Sequence, residues 1–281
     1  MMNHKSYPLI VRIHALAYVQ TFKNLVKLVD FFRAVFAGFW LGILKRETLL
    51  LINKFYYEKN LISYCDEEHN RRGLWNWERK VIDKCFQGCK SLLVSAVGGG
   101  REVLGLHQLG YDVDGFDCHP EFVSCANERL KKEGVYTTIQ LVPPDQCPIG
   151  HKIYDGIIIG WGAYTFIHGR EQRIAFLKKL RVQTRAGAPI LLSFFDLPEN
   201  ARRFKVIITI GNAIRWMLRR NFLEIGDDLK STYVHYFTRE EIESELNEGG
   251  FDLTFYSTFQ HGHAVGIASK KSDSMALTHN G

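Results

Sequence analysis

The sequence lacks any cysteine arrangement that would stabilise a small fold through disulfides or zinc. Its six cysteines contain no Cys-x-x-Cys pair, and the nearest neighbours, Cys85 and Cys89, lie four residues apart on a predicted helix. Two ligands alone do not make a structural zinc site, so we expect no bound metal. The chain has 281 residues, of which 46% are hydrophobic, and it can bury a core without such supports. Because no secretory signal is evident, we expect reduced thiols and a cytoplasmic protein.

Long uncharged apolar runs are also missing. The longest one near the N-terminus, residues 34–44, has eleven residues and is too short to span a bilayer. Residues 1–60 nevertheless contain nine Lys and Arg against three acidic residues, and this excess equals the formal net charge of +6 for the whole chain. The rest of the chain is therefore balanced, which argues against a nucleic acid as partner.

The basic, apolar N-terminal segment has two interpretations that the sequence leaves open. Its helices could lie on an anionic membrane surface, which would make the protein peripheral to a membrane. Alternatively, they pack over the rest of the protein or against a second copy in a homodimer, with their lysines in solvent.

Proline is absent between Pro8 and Pro120, so nothing forces a helix to break in this part of the chain. Apolar residues spaced by three and four predict several helices over residues 9–63 and another helix over residues 75–86. The polar residues 64–73 between them are expected to form a connecting loop.

From Ser91 onwards, short apolar strands alternate with helices. The predicted strands cover residues 92–97, 111–117, 137–142, 154–160, 189–195, 251–259 and 264–269. The helices cover residues 101–109, 120–133, 170–181 and 239–248, and the last has Thr238 as its N-cap and Glu241 in the capping-box position. This alternation predicts an α/β fold with a parallel sheet, and the last two strands form a hairpin.

A second basic, apolar helix, over residues 201–220, interrupts this alternation. We therefore divide the chain into an N-terminal helical extension of residues 1–88 and a core domain of residues 89–270. The core domain contains a helical insertion at residues 197–234. The polar residues 271–281 are expected to be a disordered tail.

A glycine-rich turn follows the first strand of the predicted core domain. In an open α/β sheet nucleotide cofactors bind at this point, because glycine lets a ligand approach the backbone and the helix N-terminus offers free N–H groups. Gly98 and Gly100 match the start of a G-x-G-x-x-G fingerprint, but Val103 stands at its third glycine. The Gly-Lys-Ser/Thr of a P-loop is absent as well. These departures disfavour NAD, FAD and ATP.

Asp117 ends the second strand, seventeen residues beyond Gly100. A carboxylate at the tip of this strand can accept both hydrogen bonds of a ribose diol, and the spacing is close to the ~20 residues expected for such an acid. The alternative role for Asp117 is that of a turn or helix N-cap residue.

Three stretches of the chain resemble class I S-adenosylmethionine-dependent methyltransferases, in particular uncharacterised bacterial and natural-product members. The first two motifs of the family are similar to LLVSAVGGGREVLGLHQLGYDVDGFD, and its fourth and fifth strands to YDGIIIGWGAYTFIHGREQRIAFLKKLRVQTRAGAPILLSFF. The stretch leading into its sixth strand is similar to HYFTREEIESELNEGGFDL. The resemblance covers about residues 90–196 and 235–270. It implies a Rossmann-like, doubly wound sheet of seven strands, the last of them antiparallel, and S-adenosylmethionine as the cofactor.

The glycine turn departs from the family pattern at two positions. Ala96 stands where the family has its first glycine, and Val94 replaces an acid that usually orders the loop and helps to hold the methionine amine. Another acid must then serve, and both Glu102 and Glu78 are candidates.

The resemblance also implies which residues hold the cofactor. In the family an acid near the position of Asp145 meets the adenine amino group, and the loop that contains Tyr64 and Asn70 commonly closes over the cofactor. Trp161 could face the sulfonium in a cation–π contact, or it could pack in the core. The complete set of predicted cofactor residues is Tyr64, Ala96, Gly98, Gly99, Gly100, Glu102, Asp117, Cys118, Asp145, Gly160 and Trp161.

Methyl transfer from a sulfonium is an in-line displacement, so the protein mainly needs to align the reactants and exclude water. A general base is needed only if the nucleophile loses its proton in the transition state. The candidates for such a base are His235, where the insertion returns to the sheet, and His168 and Tyr164 after the fourth strand. His261 and His263, in the hairpin turn, are further candidates.

The sequence therefore predicts an enzyme, a methyltransferase that acts on a small hydrophobic or amphiphilic molecule, with oxygen or nitrogen left open as the acceptor atom. The helical extension and insertion are both apolar and basic, and we expect them to roof the acceptor site. The alternative is a non-catalytic module of the same fold, whose basic helices bind a membrane surface or a protein partner. Val94 and the absence of an evident base favour that alternative.

Overall fold

The chain folds into two compact units. A computed structural model describes residues 8–150 and 152–270, and the tail predicted to be disordered, residues 271–281, lies outside them. The first unit, which we call the helical unit, consists of the described part of Met1–Leu44 together with Glu199–Leu229. The second, the sheet unit, consists of the described residues of Lys45–Pro198 and Lys230–Gly281.

Nine strands form in the described residues. They are β1 (Ser91–Ser95), β2 (Asp112–Asp117), β3 (Ile139–Leu141), β4 (Gly156–Ile159), β5 (Pro189–Asp196), β6 (Asp227–Leu229), β7 (Tyr233–Phe237), β8 (Phe251–Ser257) and β9 (Gly262–Ala268). All of them except β6 belong to the sheet unit.

Seven strands of the sheet unit have the arrangement that the family resemblance implies. Their order is β3-β2-β1-β4-β5-β9-β8. Strands β1 to β5 run parallel, and β9 is antiparallel to both of its neighbours. The parallel sheet, the terminal hairpin and the antiparallel last strand predicted from the sequence are thus confirmed.

The strand count is nine, and the expected count of seven is wrong. One additional strand, β7, pairs with Phe195 and Asp196 at the end of β5. The other partner of β5, strand β9, reaches only as far as Phe194. The last residues of β5 would otherwise leave backbone groups unpaired, and β7 satisfies them. The second additional strand, β6, comes from the inserted segment.

The central strands are buried on both faces, as expected where helices cover a parallel sheet on either side. Successive residues of β4 enter different cores, because Ile157 and Ile159 pack in one hydrophobic cluster and Ile158 packs in another. Strand β5 behaves in the same way with Leu191 and Leu192. This two-sided burial explains the nearly continuous apolar runs from which the strands were predicted.

Ten α-helices form in the described residues. They are α1 (Leu9–Ile43), α2 (Arg46–Lys59), α3 (Leu61–Tyr64), α4 (Glu67–Arg71), α5 (Asn76–Cys85), α6 (Arg101–Gln108), α7 (Pro120–Lys132), α8 (Arg170–Arg181), α9 (Arg202–Met217) and α10 (Arg239–Gly249). Helices α1 and α9 belong to the helical unit, and the others belong to the sheet unit.

The capping signals of two helices had different outcomes. At the start of α10, the Thr238 hydroxyl accepts the Glu241 N–H at 3.2 Å and the Glu241 carboxylate accepts the Thr238 N–H at 2.8 Å, so the predicted capping box is confirmed. The loop predicted at residues 64–73 is wrong in part, because it contains α4. Asp66 caps this short helix by accepting the His69 N–H at 2.6 Å.

The helical unit is built on one long helix. Helix α1 has 35 residues and is continuous, and together with α2 and α3 it accounts for the several helices predicted over residues 9–63. Its C-terminal part packs closely on α9. A Cβ on Gly38 would lie 2.7 Å from the Ile207 carbonyl oxygen, and one on Gly42 would lie 2.8 Å from Ile214 Cβ. Among the helices of residues 8–150 and 152–270, none has the length and apolar composition that crossing a membrane takes.

Candidate active site

The candidate site lies where the parallel strands β1, β2 and β4 end. Ser95, the last residue of β1, pairs with Phe116 of β2 and with Ile159 of β4, so the turns after these three strands emerge side by side. The strand order also reverses between β1 and β4, which is the usual position of a ligand crevice in an open α/β sheet. The sheet therefore brings the glycine turn, Asp117 and Gly160 together.

The backbone of the glycine turn follows a left-handed path. The φ angle is +55° at Ala96, +53° at Gly98 and +95° at Gly100. Glycine adopts such angles without steric cost, whereas the side chain of Ala96 makes this conformation strained. A Cβ on Gly98 would meet no atom of the described chain within 4 Å, so the main chain at this glycine borders open space.

Two other glycines are required by close backbone packing. A Cβ on Gly99 would lie 2.5 Å from the Tyr64 carbonyl oxygen and 2.6 Å from Asn70 Oδ1. A Cβ on Gly160 would lie 2.6 Å from the Ala96 carbonyl oxygen. The glycine turn therefore packs tightly against both the α3–α4 segment and the end of β4.

Arg129 fastens the glycine turn to the same α3–α4 segment. Its Nη1 donates to the Gly99 carbonyl oxygen and its Nη2 donates to the Cys65 carbonyl oxygen at 2.7 Å. Asn70, which is 2% exposed, donates to the Tyr64 carbonyl oxygen at 2.9 Å. The loop predicted to close over a cofactor is thus fixed beside the turn.

Asp117 joins the end of β2 to the glycine turn. Its side chain is only 6% exposed and accepts the Gly98 N–H through Oδ2 and the His119 N–H through Oδ1, both at 2.9 Å. Burial raises the pKa of this carboxyl, although the backbone N–H groups of Gly98, His119 and Cys118 act in the opposite direction. A carboxylate offers about four lone-pair positions, so acceptor capacity remains for a ligand.

A cavity of about 630 Å³ lies at the ends of these strands, below helices α2 to α4. Pockets that hold small ligands typically measure roughly 300–1,000 Å³. Nine of the predicted cofactor residues line it, namely Tyr64, Ala96, Gly98, Gly99, Glu102, Asp117, Cys118, Asp145 and Trp161. The other two predicted residues, Gly100 and Gly160, shape the adjoining turns and are not part of the lining.

Both candidate replacements for the missing acid are tied to Arg101. Its guanidinium donates to the Glu78 carboxylate at 2.7 and 2.8 Å and to Glu102 at 2.5 Å. Burial disfavours the charged form of Arg101, but the carboxylates of Glu102 and Glu78 outweigh this effect and raise its pKa. Glu102 lines the cavity and accepts the backbone N–H of Trp161 at 3.4 Å, whereas Glu78 lies outside the lining. Glu102 is thus the acid that a ligand can reach.

Asp145 lies in the cavity wall and is held there by an ion pair. Its partner is Arg46, at the start of α2. The Asp145 backbone has a φ of +59°, a left-handed conformation that aspartate tolerates better than most residues. The ion pair connects α2 to the segment that follows β3.

Sequence reasoning missed an aromatic part of the cavity wall. The Tyr57 ring centroid lies 5.9 Å from the centroids of both Phe122 and Phe166 and 6.3 Å from that of His119, and all four residues line the cavity. Burial raises the pKa of Tyr57 well above its ordinary value, so its phenol stays neutral. No local pattern identifies Tyr57, because its position depends on how α2 packs over the sheet.

His119 was also missed, although its position two residues after Asp117 could have pointed to it. Its side chain is 4% exposed, and Nδ1 lies 3.0 Å from Glu121 Oε2. Nε2 has no hydrogen-bond partner within the described residues. Buried polar atoms are nearly always satisfied, so this ring nitrogen at the cavity wall is a group that a ligand can satisfy.

None of the three residues predicted as a base belongs to the cavity lining in the described chain. Tyr164 is fully buried and donates to Glu245 Oε2 at 2.6 Å, and burial next to this carboxylate raises its pKa well above the ordinary value. His235 is fully buried in β7. The His168 ring lies 4.7 Å from the Tyr233 ring, between centroids.

The two hairpin histidines pack among aromatic rings. His261 stacks on Trp161 with ring centroids 5.2 Å apart, and His263 lies 4.6 Å from Trp77. Burial lowers the pKa of His261 to about 4 and also lowers the pKa of His263. Within residues 8–150 and 152–270, no cluster of His, Cys, Asp or Glu is large enough to hold a metal ion.

Comparison with solved structures identifies the fold. A sugar N-methyltransferase from Streptoalloteichus sp ATCC 53650 is 13% identical, with a TM-score of 0.53 over 69% of this chain and 86% of its own. An amino pentose methyltransferase from Micromonospora echinaspora, solved with S-adenosylmethionine, is 14% identical, with a TM-score of 0.53 over 72% of this chain and 94% of its own. A 1,6-didemethyltoxoflavin-N1-methyltransferase from Burkholderia thailandensis was solved with 1,6-didemethyltoxoflavin and S-adenosylhomocysteine. It is 11% identical, with a TM-score of 0.56 over 81% of this chain and 92% of its own.

At these identities the likeness establishes the fold, which is the Rossmann-like fold of class I S-adenosylmethionine-dependent methyltransferases. No protein-family model matches the sequence, and no curated protein matches it significantly.

Proposed function

We propose that the protein is an S-adenosylmethionine-dependent methyltransferase that acts on a small hydrophobic or amphiphilic molecule. The proposal depends above all on Asp117, a buried carboxylate at the end of β2 that is bonded to the glycine turn in the wall of a ligand-sized cavity. This is where a nucleoside ribose binds in open α/β sheets. The likeness in fold to methyltransferases favours a sulfonium donor over a nicotinamide dinucleotide.

The residues around the cavity fit such a donor. The bare main chain at Gly98 allows close approach, Asp117 can accept the ribose hydroxyls, and Glu102 can hold an ammonium group. Trp161 is 49% exposed and offers a ring face to a sulfonium. The His119 Nε2 offers a further hydrogen bond to the adenosine end. When bound, S-adenosylmethionine supplies a methyl group on a positively charged sulfur.

The remaining cavity walls indicate the class of acceptor. They include large apolar side chains, among them Leu50 and Leu51 of α2, Phe166 in the segment after β4 and Phe176 of α8. Lys54 lines the same cavity and suits an anionic group. These walls favour an acceptor with apolar surface and a polar or anionic end.

The protein's main contribution to the reaction would be alignment and exclusion of water. Aromatic side chains such as Tyr57 and Phe122 surround the reactants, and holding two reactants in line lowers the entropic part of the barrier. Tyr57 stays protonated because its pKa is raised, so it suits a hydrogen-bond donor and not a base. A neutral amine or an already ionised phenol needs no base in the transition state, and we propose one of these as the acceptor group.

Isothermal titration calorimetry of the full chain with S-adenosylmethionine and with NAD tests cofactor binding. Heat is expected with the sulfonium donor only. Asp117→Asn should weaken donor affinity by about 1–3 kcal/mol, roughly 5- to 150-fold, because a charged acceptor is lost from a buried site. The matched control is Asp114→Asn on the same strand, since Asp114 bonds Lys152 and Tyr154 outside the cavity. Equal affinities for the two variants would remove Asp117 from the site.

A methyl-transfer screen of lipophilic amines, phenols and alcohols tests activity and acceptor class. Transfer to apolar amines or phenols is the expected result. Transfer to free polar amino acids alone would contradict the proposed acceptor class. Donor binding without transfer to any acceptor would favour a non-catalytic module of the same fold.

A further inference from the structure

Helix α1 exposes an apolar stripe along one side. Six large apolar residues recur along it at intervals of three, four or seven residues: Tyr18, Phe22, Leu25, Val29, Phe36 and Trp40. At about 100° per residue, these intervals place them on one side of the helix, over a length of about 33 Å. Their side chains are between 37% and 60% exposed. An exposed apolar surface of this extent marks an interaction site, and we call it the α1 stripe.

The opposite side of α1 makes the internal contacts of the helical unit. Gly38, Leu41 and Gly42 are buried there. Gly38 is in such close contact with α9 that an added Cβ would lie 2.7 Å from the Ile207 carbonyl oxygen. The helical unit therefore packs its own core without using the α1 stripe.

Three of the four basic side chains of α1 lie away from the stripe, and the fourth, Arg33, borders it. Helical geometry places Lys23 and Lys27 on the far side of the helix and Arg12 on its flank, and all three are exposed. Exposed apolar residues also occur on other sides of α1, among them Leu16, Leu28 and Phe31. A helix that exposes aromatic residues and leucine together with lysine and arginine can bind at a membrane surface.

The positive charge of the molecule is concentrated in the same unit. The segments Met1–Leu44 and Glu199–Leu229 contain eleven Lys and Arg against five Asp and Glu, which accounts for the whole formal net charge of +6. The segments of the sheet unit contain 25 residues of each sign and are neutral. Exposed apolar surface and positive charge therefore coincide in one part of the chain.

A second patch of the same chemistry lies at the end of α9. Trp216 and Met217 are exposed there, next to Arg219 and Arg220. Arg220 donates to the Ile43 carbonyl oxygen at the C-terminal end of α1, so this patch adjoins that end of the helix. The two patches together offer apolar side chains and cations to one partner.

We propose that the helical unit binds the surface of an anionic lipid bilayer, with the α1 stripe at the boundary between headgroups and acyl chains. Charge decides between this occupant and a second copy of the chain. A second copy would place two units of the same positive charge against each other, whereas anionic lipids attract lysine and arginine near their surface. This inference goes beyond methyl transfer and does not depend on it.

Vesicle flotation of the full chain tests the proposal. The protein should float with vesicles of equimolar phosphatidylcholine and phosphatidylserine. Its affinity for vesicles of phosphatidylcholine alone should be lower by a factor of roughly ten or more. Added salt should weaken the binding to the anionic vesicles, because it screens the cations. Equal binding to the two kinds of vesicle, or binding to neither, would overturn the proposal.

Surface variants separate the stripe from the charges. Phe22→Ser combined with Phe36→Ser should abolish flotation, and Lys23→Glu combined with Lys27→Glu should abolish the preference for anionic vesicles. Gln20→Ser combined with Asn24→Ser, on the same helix but off the stripe, is the matched control and should bind like the wild type. Thermal unfolding and donor calorimetry should be unchanged in all three, which shows that they fold and keeps this test separate from that of methyl transfer.

Light scattering addresses the competing occupant. Two results together would show that a second copy covers the stripe. The protein would form a concentration-dependent dimer that the Phe22→Ser, Phe36→Ser variant abolishes, and it would not float with anionic vesicles. The proposal requires the opposite pattern, with flotation present and scattering unaffected by the variant.

Discussion

Gly99 shows how the absence of one side chain shapes the candidate site. The Tyr64 carbonyl oxygen and the Asn70 amide occupy the space that a Cβ would need, and Arg129 holds the Gly99 carbonyl oxygen from another direction. The main chain of the turn is therefore fixed by neighbours that come from two different parts of the sequence. Its rigidity before any ligand binds reduces the entropic cost of binding.

Gly99→Ala should destabilise the protein by about 1–3 kcal/mol, because the new methyl group overpacks a site whose neighbours are backbone and a buried amide. It should also weaken donor affinity, since the turn must move. Urea unfolding and donor calorimetry measure the two effects. Gly150→Ala is the control, because a Cβ there meets no described atom within 4 Å. Equal stability of the two variants would contradict the packing described for Gly99.

His119→Phe should have effects of opposite sign on stability and on binding. Replacing a buried ring whose Nε2 has no partner in the described chain removes a desolvation cost, so the free energy of unfolding should rise by about 1 kcal/mol. Donor affinity should fall, because the nitrogen proposed to meet the adenosine end is gone. Thermal unfolding with and without S-adenosylhomocysteine measures both, and a variant that binds the ligand as well as the wild type would exclude His119 from the site.

At the scale of elements, the sequence was informative wherever the contacts are local. The run before the glycine turn predicts a buried strand, and the register of the next strand places Asp117 at its tip. The sequence was not informative where the site depends on contacts between residues that are far apart in the chain. The ion pair of Arg46 with Asp145 joins residues 99 positions apart, and Tyr57 reaches the cavity only because α2 packs over the sheet. Neither has a local pattern that could reveal it.

The β8–β9 hairpin should make the fold sensitive to acid. The folded protein holds His261 neutral among aromatic rings, with its pKa lowered from 6.5 to about 4 by burial. A base with a depressed pKa contributes stability above its unfolded pKa, and this contribution is lost as the pH falls towards the folded value. The free energy of unfolding should therefore decline as the pH falls from 6.5 to about 4.

Denaturant unfolding of His261→Phe over this pH range checks the prediction. The decline should be shallower in this variant, although His263 preserves part of it because its pKa is lowered as well. His107→Gln, at an exposed position of α6, is the control and should decline like the wild type. Identical slopes for the wild type and His261→Phe would contradict the prediction.

At the scale of the whole molecule, alternation of strands and helices was sufficient to predict the class of fold, whereas the antiparallel last strand was implied by the family resemblance. The division into compact units was not predicted from the spacing of apolar residues, because this spacing is three and four throughout residues 9–63 although the units separate at Leu44. Charge gives a clearer signal, since the segments of the helical unit contain the entire net charge. The molecule thus combines a neutral unit that carries the cavity with a positive unit that carries the α1 stripe.

The central claim is that the cavity at the ends of β1, β2 and β4 binds a sulfonium nucleoside donor. The most direct test is a crystal structure of the full chain with S-adenosylhomocysteine. It should show the ribose hydroxyls on the Asp117 carboxylate, the amino acid end near Glu102 and the sulfur beside Trp161. An empty cavity at saturating ligand, or a nicotinamide dinucleotide bound there in preference, would contradict it.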